Sequence, residues 1–170
     1  MNNDKLEFVS SIITNKEGNV LLLKRKDTLT LDPGKYDLCS GHMKTSEVPM
    51  QSMLRELREE IGIKQEQIKK IENLGDIKTP HKKFLNTVCH MYHIEIDLTE
   101  NEINNMLKEV EEPEMESAQY LKDINQLRMI QKYTELMRTT YTEEIDKILK
   151  IVQEKLNKRK EMQVCRNEER

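Results

Sequence analysis

The chain has 170 residues, enough for one domain with a substantial core, and its 31 acidic and 28 basic residues nearly cancel to a formal net charge of −3. That balance advertises neither a polyanion-binding patch nor a membrane-surface one, and no apolar run reaches the roughly 18 residues of a membrane span. Cys39, Cys89 and Cys165 are odd in number, far apart and without a CxxC pair, which argues against a disulfide framework or a thiolate zinc site and for a reducing cytoplasm.

In chain order, "MNNDKLEF" lacks the basic-then-apolar pattern of a secretory signal, in keeping with a soluble, cytoplasmic protein. "LEFVSSIIT" is rich in β-branched residues, and "NKEG" turns it into "NVLLLKRK", so this segment predicts a β-hairpin. "LDPGKYDLCSGH" carries a Pro33-Gly34 turn and then a short run towards Gly41. The stretch from Ser46 to Ile61 predicts a helix, with Ser46 as N-cap, Pro49 in the first turn and mostly strong helix formers behind it. "IKKIENLGDIKTP" and "FLNTVCHMYHIEIDL" predict two more strands that pair with each other. "TENEINNMLKEV" suits a short helix or a loop, and Pro113 then marks a break before "EMESAQYL". From about Asn101 onwards the period is expected to be helical: Ile124, Leu127, Ile130 or Gln131, Thr134 and Met137 trace one partly apolar face, and Ile145, Ile148, Leu149, Val152 and Leu156 a clearer one. Thr140 and Glu143 have the spacing of a capping box for this last helix, and the polar ending is expected to fray.

Within the helix after Gly41, Glu56, Glu59 and Glu60 are crowded into little more than one turn. With Glu56 at zero on a helical wheel, Glu60 lies at about +40° and Glu59 at about −60°, while Met50, Leu54, Leu57 and Ile61 gather on the other side. The like-charge pair Glu56 and Glu60 costs a few tenths of a kcal/mol in an exposed helix. Taken alone, such a face is most often solvated; a divalent cation is the alternative that removes the repulsion. Hard oxygen ligands on a rigid element suit Mg²⁺ or Mn²⁺.

The pattern around these residues resembles the Nudix hydrolase signature. Gly41, Glu47, Arg55, Glu56, Leu57, Glu59, Glu60, Gly62 and Ile63 stand at the nine specified positions across 23 residues. The resemblance implies an α/β (α+β) fold, a Nudix-type αβα sandwich with a mixed β-sheet and a helical C-terminal extension, divided as a catalytic domain over residues 1–138 and the extension over 139–170. It implies metal-dependent hydrolysis of a diphosphate linkage in a nucleoside diphosphate derivative. Glu56, Glu59 and Glu60 are the implied ligands of Mg²⁺ or Mn²⁺, joined by the Gly41 carbonyl and, with a role that varies in the family, by Glu47. Arg55 is implied to orient Glu59, and Gly62 to end the helix in the left-handed conformation. The general base is left open, with Glu111, Glu112, Glu114 and Glu116 as candidates by position. Lys24 and Lys26 are candidate phosphate contacts and Tyr36 a candidate stacking residue. Core packing suits Phe84 better than stacking.

Two further readings are open. "LCSGH" is similar to the segment of isopentenyl-diphosphate isomerases that pairs a cysteine with a metal-binding histidine, although this chain has no histidine before His42; Cys39 reads better as a small buried strand residue. Other domains of the fold only bind nucleotides or protein partners, and these commonly lack box glutamates that are all present here. His42, His81, His90 and His93 have no metal-ligand spacing and read as satisfied core or surface residues. The expected partner is a small-molecule nucleoside diphosphate derivative and not a membrane; capped RNA stays open, and the C-terminal stripe must cover either its own domain or a second subunit in a homodimer.

Overall fold

The computed structural model describes residues 5–78, 86–122 and 143–168. The first β-branched run forms β1 (Lys5–Thr14), which turns into β2 (Val20–Arg25) as the hairpin pattern predicts. Asn15 closes that turn, its side-chain oxygen accepting the N–H groups of Glu17 and Asn19 at 3.1 and 2.9 Å. There follow β3 (Tyr36–Asp37), β4 (Cys39–His42), α1 (Pro49–Glu60), a 3-10 turn (Gln65–Gln67), β5 (Ile68–Lys78), β6 (Asn86–Ile96), α2 (Glu100–Glu109), β7 (Met115–Leu121) and α3 (Glu143–Glu168).

The strands form one mixed sheet in the order β3-β2-β1-β6-β5, with β4 added to β1 and β7 to β2. β1 and β6 run parallel, and the expected β5–β6 pair is antiparallel. Alternation along each strand sends side chains to opposite faces. Val9 and Ile13 of β1, Leu21 and Leu23 of β2, and Tyr92 and Ile94 of β6 meet Met53, Leu57, Ile103 and Leu107 from α1 and α2. The intervening Ile12, Val20, Leu22 and Met91 meet Val152 and Leu156 of α3. Helices therefore cover both faces, and the fold is the expected αβα sandwich with an open mixed sheet. Each such fully buried aliphatic side chain stabilises the fold by about 1.5–3 kcal/mol relative to exposure. An ion pair from Lys155 to Glu72 ties α3 to β5. Val152 and Leu156 of the expected stripe thus pack on the sheet of their own domain, while the side chains of Ile145, Ile148 and Leu149 lie outside the described residues.

Three expectations need correction or completion. The helix of the carboxylates starts at Pro49, with Val48 and not Ser46 as its N-cap. The residue before a proline is pushed out of the helical region, and Val48 is extended at φ −89° and ψ 157°. The segment between Thr99 and Val110 is a helix, not a loop. Thr99 and Glu102 cap it reciprocally, the threonine hydroxyl accepting from Glu102 N–H at 3.3 Å and the Glu102 carboxylate from Thr99 N–H at 2.7 Å. "EMESAQYL", in the part of the chain where a helical period is expected, instead contains a strand, β7, antiparallel to β2 from Val20↔Leu121 to Arg25↔Met115. His81, Phe84, Leu85, Thr140, the helical pattern over 124–137 and the expected boundary at 138 lie outside the described residues.

Candidate active site

α1 is positioned from both ends. At its start Gln51 turns its side-chain oxygen back to the N–H of Val48 at 3.2 Å. At its end Gly62 takes φ +85°, letting its N–H reach the Arg58 carbonyl at 3.1 Å and the Ile63 N–H reach Leu57 at 3.1 Å. With Met53 and Leu57 buried against the sheet, the glutamate side of the helix is turned towards β4.

There Glu56 meets Gly41. A Cβ at residue 41 would fall 2.0 Å from the Glu56 Cδ and 2.1 and 2.3 Å from its two oxygens, so the carboxylate fills the space that glycine leaves open. Glu56 is only 8% exposed. Its carboxyl is raised above the usual carboxylate range, chiefly by burial and further by the charges of Glu59 and Glu47, against the opposing pull of Arg55. Glu60 also reaches the β4 backbone, accepting the Ser40 N–H at 3.1 Å. Burial pushes it up to about 8; hydrogen bonds from Cys39 and Ser40 oppose the rise, and the charges of Asp37 and Glu56 add to it.

Arg55 is the hub of the ridge. Its Nε and Nη2 hold the two oxygens of Glu47 at 2.6 and 2.8 Å, a bidentate fork that pulls Glu47 down to about 2. Nη1 donates to Glu56 at 2.5 Å and to Glu59 at 2.8 Å, while Nη2 also reaches the His42 carbonyl at 2.9 Å and the Ser52 hydroxyl at 3.1 Å. The expected Arg55–Glu59 contact is therefore present, but the firmest grip is on Glu47. Sequence spacing does not reveal that grip, because it depends on how the loop from Met43 to Val48 folds back on the helix.

Among the described residues, no three His, Cys, Asp or Glu side chains already converge as a ligand cluster. Arg55 stands among Glu47, Glu56 and Glu59, Lys44 lies 3.7 Å from Glu59, and Glu60 is turned to the β4 backbone. The donor set nonetheless fits a hard divalent cation. It is all oxygen, and two of its carboxylates are held out of water with their pKa values raised, a strain that an added cation relieves.

Other candidate residues lie apart from this hub. Lys24 is paired with Glu116 at 2.8 Å, and Tyr36 packs on the cluster that includes Leu22 and Val152. The Lys26 N–H donates to the Glu114 carbonyl at 2.9 Å. Arg25 is buried, its Nη1 reaching Glu114 at 3.2 Å and its Nε and Nη2 the Leu31 carbonyl. Of the four candidate bases, Glu114 and Glu116 are thus engaged with cations. Glu111 and Glu112 line an open groove of about 680 Å³ with Arg58, Glu59 and Lys64, next to α1. Cys39 is 1% exposed, and burial pushes its thiol well above the ordinary value, which is the small buried strand residue expected. His93 pairs with Thr14 at 2.8 Å and His90 with Asp76 at 2.7 Å; the His42 ring packs against Phe8. Ser40, Ser52, Asp37 and Lys44 escaped the sequence reading. The β4 register brings in Ser40 and the loop after it Lys44, Asp37 comes from β3, and Ser52 stands one helical turn before Arg55 on α1.

The NUDIX domain model matches residues 7–142. No curated protein matches the chain. Among solved structures, a protein of Deinococcus radiodurans is similar at a TM-score of 0.63 and 16% identity, covering 91% of this chain and 88% of its own. A MutT protein of Methanosarcina mazei is similar at a TM-score of 0.61 and 16% identity, covering 91% and 97%. An Ap4A hydrolase of C. elegans is similar at a TM-score of 0.55 and 17% identity, covering 76% and 88%. At these identities the likeness is one of fold. No described helix is long and apolar enough to cross a membrane.

Proposed function

The chain belongs to the Nudix family and is a Nudix pyrophosphohydrolase, and from that premise we propose that it splits the diphosphate linkage of a nucleoside diphosphate derivative using Mg²⁺ or Mn²⁺ held by Glu56, Glu59, Glu60 and the Gly41 carbonyl. The observation that carries this reading is the seat of the Glu56 carboxylate on Gly41, where a Cβ would collide at 2.0 Å. The glycine gives a buried carboxylate and a backbone carbonyl strand common ground, at the place where the raised pKa values of Glu56 and Glu60 call for positive charge.

Bound there, the divalent ion supplies neutralisation of the phosphate oxygens and a lowered pKa for the attacking water. The chain's own residues do the rest. Arg55, anchored by Glu47 and the His42 carbonyl, fixes where Glu56 and Glu59 point. The Ser40 N–H holds Glu60 against β4. Glu111 or Glu112, which line the same groove as Glu59, would take the proton of the attacking water in this reading. Lys26 belongs to this reading as a phosphate contact. Lys24 and Tyr36 belong to it on condition that the first leaves Glu116 and the second its packing. The reading also keeps residues 1–138 as the catalytic domain, 139–170 as its extension and the cytoplasm as the place of action.

The test is a panel of nucleoside diphosphate sugars, dinucleoside polyphosphates, capped RNA and nucleoside triphosphates, each with Mg²⁺ or Mn²⁺, run beside Glu59→Gln. Cleavage of at least one compound, lost with a chelator and reduced by about 10²-fold or more in the variant, is the expected result. Equal behaviour of wild type and variant on every compound overturns the assignment.

A further inference from the structure

A diphosphate docked on this ridge brings more negative charge to a face already carrying Glu47, Glu56, Glu59 and Glu60, so a protein cation within reach of the ridge adds to what the divalent ion neutralises. Arg55 is committed: its donors are spread over Glu47, Glu56, Glu59, Ser52 and the His42 carbonyl. Lys24 is held 2.8 Å from Glu116, Lys35 is held 2.9 Å from Asp32, and Arg25 is buried.

Lys44 differs from these lysines in that its ammonium rests on a carboxylate of the ridge itself. It lies in the loop between β4 and α1, its side chain is 63% exposed, and its Nζ stands 3.7 Å from Oε1 of Glu59, whose other oxygen is 2.8 Å from Arg55. Its backbone, by contrast, is fixed: the Lys44 N–H donates to the Glu47 carboxylate at 3.0 Å, and the Glu47 N–H donates to the Lys44 carbonyl at 3.0 Å. The residue is anchored through Glu47 to Arg55 while its ammonium rests loosely on a ridge carboxylate.

We propose that Lys44 is a substrate-binding residue that exchanges partners, resting on Glu59 in the metal-free enzyme and moving to the phosphate oxygens of the substrate when a divalent cation takes Glu59. The proposal rests on the hydrolase reading above. An ammonium on a flexible stem is a point charge with three donors, suited to a non-bridging phosphate oxygen that arrives after the site has been loaded. Two effects of opposite sign follow. Lys44 competes with the metal in the free protein and supports the substrate in the complex, whereas a purely structural lysine would move both in the same direction.

Wild type, Lys44→Gln and Lys44→Arg are to be titrated calorimetrically, first with Mn²⁺ alone and then, at saturating Mn²⁺, with α,β-methylene-ADP. Lys44→Gln is expected to bind Mn²⁺ as tightly as wild type or up to about threefold tighter, and the analogue about three- to tenfold more weakly. Lys44→Arg is expected to restore analogue binding to within about twofold, and with a cleaved substrate the loss in Lys44→Gln falls on KM rather than kcat. Weakened Mn²⁺ binding in Lys44→Gln, or analogue binding equal to wild type, overturns the proposal. If wild type binds Mn²⁺ and the analogue while Lys44→Gln matches it, the role of Lys44 falls and the hydrolase reading stands; if wild type binds no Mn²⁺, both fall.

Discussion

Gly41 and Glu56 occupy ground that only a glycine and a carboxylate can share, with the Glu56 Cδ 2.0 Å from where a Cβ of residue 41 would lie. Gly41 is not among the glycines with positive φ, so what the position requires is space and not backbone freedom. Gly41→Ala therefore expels Glu56 from its seat without breaking β4. The expected outcome is a fall in kcat/KM of about 10²-fold, with the thermal midpoint close to wild type. Steady-state kinetics and a melting curve check it together.

The fork from Arg55 to Glu47 predicts a loss that a lysine cannot repair. Arg55→Lys keeps the charge but cannot span both oxygens of Glu47 and still reach Glu56 and Glu59. Activity should drop at least about tenfold. The same fork sets an acid limb. Glu47 is held at about 2 against its ordinary 4.5, mainly by Arg55. Its contribution to stability is present above pH 4.5 and is lost as pH falls from there towards 2. Acid unfolding of wild type and Glu47→Gln should therefore differ in that window and converge below it.

Glu60 works in the opposite direction. Burial raises it to about 8, so in the metal-free protein it binds a proton that the unfolded chain releases near 4.5. By linkage, this group favours folding at low pH, and its contribution declines as pH rises from 4.5 through 8. Because a ligand carboxylate must be ionised, Mn²⁺ binding should release protons in this range and strengthen as pH approaches 8. Calorimetric titration in two buffers of different ionisation enthalpy measures the proton count.

How much of this could be read from the sequence differed by element. The β1–β2 hairpin and the β5–β6 pair were legible because alternation and turn residues are local signals, as was Gly62, whose position after a helical run needs a positive φ. The start of α1 is not legible from cap type, because Ser46 is a good cap by type whereas Pro49 fixes the conformation of Val48 whatever lies upstream. Strand β7 escaped because "MESAQYL" has no β-branched residue and is a strand only by virtue of pairing with β2. In the site, the carboxylate ridge was visible from helical spacing. The contacts that shape it, Gly41 under Glu56, Ser40 on Glu60 and Glu47 on Arg55, come from residues 15, 20 and 8 positions away and depend on the β4 register and the loop after it.

The packing of α3 gives a stability prediction independent of the chemistry. Leu156 is buried and lies within 3.4 Å of where a Cβ of Gly18 would stand, in the same cluster as Ile12, Leu22 and Met91. Leu156→Ala should cost about 2–4 kcal/mol in urea denaturation. A truncation at the start of α3 should lower stability further by uncovering that face of the sheet. No change in either variant would mean that α3 does not pack there in solution.

The central claim is that the ridge of Glu56, Glu59 and Glu60 gathers divalent ions where a diphosphate bridge is cut. Its most direct test is a crystal structure of the protein with Mn²⁺ and α,β-methylene-ADP, read by the anomalous signal of the metal. The expected result is manganese coordinated by these glutamates and the Gly41 carbonyl, in contact with the analogue's phosphate oxygens. Ordered analogue with no manganese on the ridge, and Arg55 still bridging Glu47, Glu56 and Glu59, would contradict it.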